Sequence, residues 1–366
     1  MTGQRMFFKF AIMLILMIGV IKQGTGLSMS SIQKYEYQAT ESAPLYFPMQ
    51  IISGALLYHD GSGSLSVPNM TVIAGGWGEW RSSHVLDNDG YPLPNKLKIT
   101  FYSFMENQFY QAEFDLPFEK IESLFKNKHY SYVDDKNITF DQFIIGTTPG
   151  GGVSVWVNAV ERKVQIFYGQ ANKIDGDWKW IIDNPEVNRE GYIKEVVEYE
   201  QRTPEQLEIY NKNGIPFGKW EGYSKARYVW KPILNGMNLR DNKIKYIHYY
   251  SGEKDYLTIP MSDDYKDQPL SVPDEINITW NKTGYLINDL SIDILFDEKE
   301  IFSAFEEISQ GNNPIEMEFR MEPEKNYDFT IWLRNDKNSI ELKKIRIKTW
   351  KPGGMRYENA EPMDIE

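Results

Sequence analysis

The chain has no cysteine among its 366 residues. This removes disulfides, thiolate nucleophiles, zinc–thiolate centres and iron–sulfur clusters together. Histidine is scarce as well. The 4 present are His59, His84, His129 and His248, and no two have the close helical spacing of a zinc site. Each reads as a surface or turn residue, and no metal or other cofactor is expected. A basic surface is also missing: 40 Lys and Arg against 52 Asp and Glu give a formal charge of −12. That balance argues against nonspecific nucleic-acid binding and against adsorption to anionic lipid. No serine lies in a Gly-x-Ser-x-Gly elbow, so hydrolase-type acyl transfer has no support. With 41% hydrophobic and 25% charged residues, the chain nevertheless has material for a sizeable core.

The amino terminus has the layout of a secretory signal: Arg5 and Lys9, an apolar run from Phe10 to Ile21, then Lys22 and the small residues Gly24, Thr25 and Gly26. The run falls short of the ~20 residues that span hydrocarbon as a helix. Cleavage after Gly26 is expected ahead of the alternative, retention as a short anchor, and leaves an exported body of 37 basic and 52 acidic residues, a charge of −15, with no later membrane span.

Leu97, Ile99 and Phe101 alternate with Lys98 and Thr100, the period-two pattern of a half-buried strand, and Phe109 to Phe114 repeats it. Ser103 to Gln108 then closes a hairpin. A helix is expected next, with Asp115 as cap, Pro117 in the first turn, and Phe118, Ile121, Leu124 and Phe125 as its apolar stripe. Phe140 to Ile145, Val153 to Val157 and Val164 to Phe167 read as strands, as does Trp178 to Ile182.

This order recurs. Pro94, Leu97, Ile99, Thr100 and Phe101 correspond to Pro273, Ile276, Ile278, Thr279 and Trp280; Val155, Trp156 and Val157 correspond to Ile331, Trp332 and Leu333. Between them, Asp297 and Glu300 have capping-box spacing ahead of Ile301, Phe305 and Ile308. The expected fold is therefore α+β, mostly antiparallel β, with two related strand-strand-helix-strand-strand halves. They are joined by a helical connection in which Thr203, Pro204 and Gln206 start a helix, Gly214 ends it, and Phe217 to Trp230 holds a second short helix. The expected divisions are a signal peptide at 1–26, a first β-rich half at 27–200, and the crossover with the second half at 201–366.

Candidate motifs for chemistry reduce to local structure. Pro149 to Gly152 lacks the Lys and Ser or Thr of a phosphate loop and reads as a turn. Asp87 to Gly90 and Asp175 to Asp177 lack the spaced ligands of a calcium loop. The Asn-x-Thr triplets at Asn69, Asn137, Asn277 and Asn281 read as turn and strand residues. The aromatics are more suggestive. Trp77, Trp80, Trp178, Trp180, Trp220 and Trp230 are large, stiff contact residues, and the first two lie among Gly75, Gly76 and Gly78 in a loop-like setting. They are the candidate binding residues, and no catalytic residue stands out.

Leu93, Pro94, Lys96, Leu97 and Ile99, then Phe109, Tyr110, Phe114, Leu116 and Pro117, then Ile144, Gly146, Pro149 to Gly151, Val153 and Val155 to Val157 resemble the domain-of-unknown-function family 2931. Tyr228, Trp230, Lys231, Pro232 and the stretch 296–305 are also similar to longer members. The resemblance implies an exported bacterial protein, commonly a lipoprotein, and brings no active site. The absence of a lipobox cysteine points to a soluble form in the periplasm or cell envelope. The expected activity is binding rather than catalysis, with a basic protein partner such as a toxin, as for a periplasmic immunity protein. The alternative is an envelope hydrolase acting on glycan through an acidic pair in an aromatic cleft.

Overall fold

The computed structural model describes residues 33–82, 89–131, 134–201, 203–235, 243–258, 268–281, 289–310, 314–322, 328–350 and 363–364. The expected signal segment, His84, Asp87 and Asn88 lie outside the described residues.

The first half runs through β1 (Gln38–Ser42), β2 (Met49–Tyr58), β3 (Ser64–Ser66), β4 (Val72–Ile73), β5 (Pro94–Ser103), β6 (Gln108–Asp115), α1 (Phe118–Lys126), β7 (His129–Ser131), β8 (Lys136–Ile138), β9 (Gln142–Thr147), β10 (Gly152–Asn158), β11 (Lys163–Gln170) and β12 (Asn172–Ile174). Three helices follow: α2 (Arg189–Gln201), α3 (Pro204–Asn213) and α4 (Lys219–Lys225). The second half runs through β13 (Arg227–Asn235), β14 (Lys243–Tyr249), β15 (Lys254–Thr258), β16 (Pro269–Ser271), β17 (Pro273–Asn281), β18 (Asp289–Phe296), α5 (Glu298–Ile308), β19 (Ile315–Glu322), β20 (Asp328–Arg334), β21 (Ser339–Leu342), β22 (Ile345–Trp350) and β23 (Met363–Asp364). The fold is α+β and mostly antiparallel.

The pairing order occurs twice. In the first half β1 pairs β9 in parallel, and β9, β10 and β11 continue antiparallel; in the second, β13 pairs β19 in parallel, and β19, β20 and β21 continue antiparallel. Likewise β2–β5–β6 and β14–β17–β18 are antiparallel sets, each followed by a helix. Each half has its own core. Leu97, Ile99, Phe101, Ile121, Phe125, Val155 and Val157 belong to one; Ile276, Ile278, Ile301, Phe305, Phe319 and Ile331 belong to the other. A third, smaller core forms on the opposite face of β5 and β6, where Tyr102, Phe104 and Phe109 meet Tyr192, Ile193, Val196 and Val197 of α2.

Helices α1 and α5 begin differently. Asp297 accepts from the Glu300 amide at 2.9 Å and caps α5. Asp115 does not cap α1, because the chain enters that helix through Pro117, without a side-chain cap. Trp178 to Trp180, expected as strand, is a 3₁₀ turn instead, since Asp177 accepts from the Lys179 amide and turns the backbone.

The halves meet edge to edge in a ten-stranded sheet ordered β1-β9-β10-β11-β15-β14-β17-β18-β22-β23, and the body from Lys34 onward holds together as one unit. The seam is short, with Lys163 of β11 opposite Lys254 of β15. Glu253 fastens it. Its buried carboxylate accepts from the Gln165 amide (3.0 Å), Arg227 (2.6 Å), and the Ser251 and Ser271 hydroxyls (both 2.9 Å). This many donors leave neither oxygen of the buried carboxylate orphaned.

Candidate binding site

Two of the six candidate tryptophans come together. Trp77, half-buried in the loop after β4, packs edge-on against fully buried Trp156 of β10, centroids 4.7 Å apart, and lies 6.4 Å from Trp220 of α4. Phe47, from the β1–β2 loop, meets Trp220 edge-on at 5.4 Å.

The chain makes room for this contact by omitting side chains. A Cβ on Gly146 would lie 2.6 Å from the Trp156 ring and 2.8 Å from the Trp77 ring; one on Gly78, at φ +77°, would lie 2.6 Å from the Gly252 carbonyl. Buried Lys163 holds the loop down, donating to the Gly78 carbonyl at 2.6 Å and to Glu79 at 2.9 Å. Burial pushes the Glu79 carboxyl up, but Lys163, with His248 and Lys254, outweighs it and holds the group below its ordinary value.

The Trp77 and Trp220 rings line an aromatic groove of about 430 Å³, closed by Pro44, Leu45, Tyr46 and Phe47 on one side and by Ile209, Tyr210, Asn213, Pro216, Lys219 and Tyr223 on the other. Leu45 and Ile209 are exposed at its mouth, at 39% and 51%. Nearby Phe217, 60% exposed, rests against Gly150. The Trp77 indole N–H is buried with no partner. At one end, Lys219 bridges to Glu298 at 2.8 Å and lies 5.5 Å from the Tyr223 ring centroid. Behind that ring Asp274 is pushed up to about 7 by burial and by neighbouring Glu275, and its Oδ1 is buried without a partner.

The other candidates lie elsewhere. Trp178 packs on the third core beside Tyr102 and Tyr192, whereas Trp180 is exposed and meets only the edge of that core at Phe109. Trp230 is a core residue whose indole donates to the Ser271 carbonyl at 3.0 Å. Trp80 stands 54% exposed. Pro44 to Phe47, Ile209, Tyr210 and Tyr223 were not singled out from the sequence. The apolar run 44–48 in an interstrand loop was the available signal.

The fold also places the remaining motifs. The Gly150 amide donates to Glu106 at 2.8 Å, so the 149–152 turn does not hold it open for a phosphate. A second cavity of about 600 Å³ lies between β1 and the 65–71 segment, and among the described residues neither cavity is lined by Asp or Glu. A glycosidase needs two carboxyls facing one cleft. Several buried acids are engaged within the fold: Asp255 with Tyr249 and Arg162, Asp293 with Tyr246, Glu318 with Arg320 and Arg334. Asn277, in one of the triplets, is buried and bonded to Ser291. His59 stacks on Phe118 at 4.3 Å. His129 and His248 are not the surface or turn residues expected: they stand partly buried in β7 and β14, and both are pushed down to about 4, chiefly by burial, with Arg162 adding at the first and Lys254 and Lys163 at the second. Among the described residues no group of three or more His, Asp or Glu is placed to hold a metal, and no helix is long and apolar enough to cross a membrane.

No curated protein and no solved structure gives a significant match to the chain. A family model does match, over residues 22–218. It spans the first half and α2 and α3, and stops before Tyr228–Pro232 and the 296–305 stretch. It therefore contains every lining residue named above except Lys219, Trp220 and Tyr223. On that match, which covers more than half of the sequence, the chain belongs to the family described as Protein of unknown function (DUF2931).

Proposed function

We propose that the protein acts by binding, and that its site is the groove between the β1–β2 loop, Trp77 and the helices α3 and α4. The supporting observation is a concave aromatic surface with exposed Leu45 and Ile209 at its mouth and, among the described residues, no carboxylate in its lining. Rigid aromatic walls suit an anchoring side chain of a partner, and the chain's charge of −12 suits electrostatic capture of a basic one. The finer reading is an exported envelope protein whose partner is a basic protein, such as a toxin delivered by a neighbouring cell. Affinity capture from envelope extract tests it, comparing the wild type with a Leu45→Asp/Ile209→Asp variant. A basic protein retained in one-to-one ratio by the wild type, lost with the variant and released by salt, is expected. Equal capture by both overturns the groove.

The two halves are, in this reading, copies of one module. The repeated pairing order and the separate cores support a duplication, after which one copy acquired the binding groove.

A further inference from the structure

The groove as a binding site leaves open what it recognises, and the inference here rests on that reading. Its Tyr223 end already holds a cation. Lys219 Nζ sits over the Tyr223 ring and 2.8 Å from Glu298 Oε2, so one ammonium is shared between an aromatic face and a carboxylate. The contact is loosely made. Lys219 and Glu298 keep 35% and 40% of their side-chain surface in water, and such bridges are weak. Asp274 lies close enough to act on the Tyr223 and Tyr250 hydroxyls, and its Oδ1 is buried without a partner.

We propose that this end of the groove is a cation subsite, filled in the free protein by the chain's own Lys219 and taken over on binding by an arginine side chain of the partner. Arginine is the fitting occupant for geometric reasons. Its planar fork meets a carboxylate through two hydrogen bonds while its face stacks on an aromatic ring, whereas an ammonium offers a point charge. The methylene stem lies along the neighbouring Trp220 and Phe47 rings, where an apolar chain gains from burial. Lys219 then swings to solvent from the first position of α4, just after Gly218 at φ 78°.

The test is an indole ¹⁵N–¹H titration of the full chain with N-acetyl-arginine methylamide and with its neutral citrulline counterpart, following Trp77 and Trp220. In Lys219→Met, arginine should shift both signals with at least tenfold tighter affinity than in the wild type, and citrulline should lag tenfold or more. Adding Glu298→Gln to that variant should abolish the preference. Equal response to arginine and citrulline in Lys219→Met would overturn the subsite while leaving the groove standing. No shift of either indole with either probe, in any variant, would remove the groove as well. Both substituted side chains are partly exposed, so the fold is expected to persist, and far-ultraviolet circular dichroism checks this.

Discussion

In the first half Trp156 of β10 lies opposite Ile144 and diagonal to Gly146 on β9; in the second, Trp332 of β20 lies opposite Glu318 and diagonal to Arg320 on β19. The two tryptophans hold corresponding places in the same pairing diagram, yet their surroundings diverge. Gly146 leaves space that Trp77 fills, and the Ser251–Gly252 turn covers the remaining edge, so Trp156 is wholly buried and its indole donates to the Ser251 carbonyl at 3.1 Å. Arg320 instead lays its own guanidinium over Trp332, 5.4 Å from the ring centroid, and bridges to Glu318 at 2.8 Å, while Arg334 reaches Glu318 at 2.9 Å. One face recruits a loop and gains a groove. The other satisfies itself with side chains from its own strands and leaves Trp332 half-buried. A hydrogen at Gly146, against a long side chain at Arg320, thus separates a surface that can be built upon from one already closed.

The largest effect should come from emptying the two tryptophan sites in parallel. Trp156→Ala is expected to cost ~3–5 kcal/mol of unfolding free energy, as for a large buried aromatic, and Trp332→Ala ~1–2 kcal/mol because half of its burial is absent. Urea unfolding of both variants checks the difference; equal losses would break the comparison. Gly146→Ala should cost ~1–3 kcal/mol through overpacking against two indoles, with a matching change in Trp77 fluorescence, whereas Arg320→Ala should stay near or below ~1 kcal/mol.

A smaller, pH-dependent effect distinguishes the histidines. His129 belongs to the first half and His248 to the second, and both have folded pKa values near 4 against an ordinary 6.5. The depressed value means the unfolded chain takes up the proton first. Stability is therefore whole above pH 6.5 and declines as pH falls from 6.5 toward 4. His129→Gln and His248→Gln should each flatten that decline in thermal unfolding curves, and an unchanged profile in both would remove the burial explanation.

Much of the framework was legible because it is local. Leu97, Ile99 and Phe101 announced β5 by alternation, and Asp297 announced α5 by its cap, since both signals are written within one element. The parallel neighbours β1 and β13 were not read, because their partners β9 and β19 lie roughly a hundred residues away and parallel pairing leaves no turn signature. Helix α2 was missed, although Tyr192, Ile193, Val196 and Val197 form a stripe, because its other positions are charged and the core it covers is made by the β5–β6 hairpin. Trp77 and Trp220 were visible as candidates. Their convergence was not, since the groove draws on residues 44–47, 77 and 209–223 that only the fold brings together.

The binding claim is tested most directly by ¹⁹F spectra of 5-fluorotryptophan protein as the captured envelope partner is added. Trp77 and Trp220 should shift and broaden at one-to-one ratio while Trp230 and Trp332 of the second half stay in place. Movement of Trp332 or Trp180 with Trp77 and Trp220 unchanged would put the partner on another surface and contradict the groove.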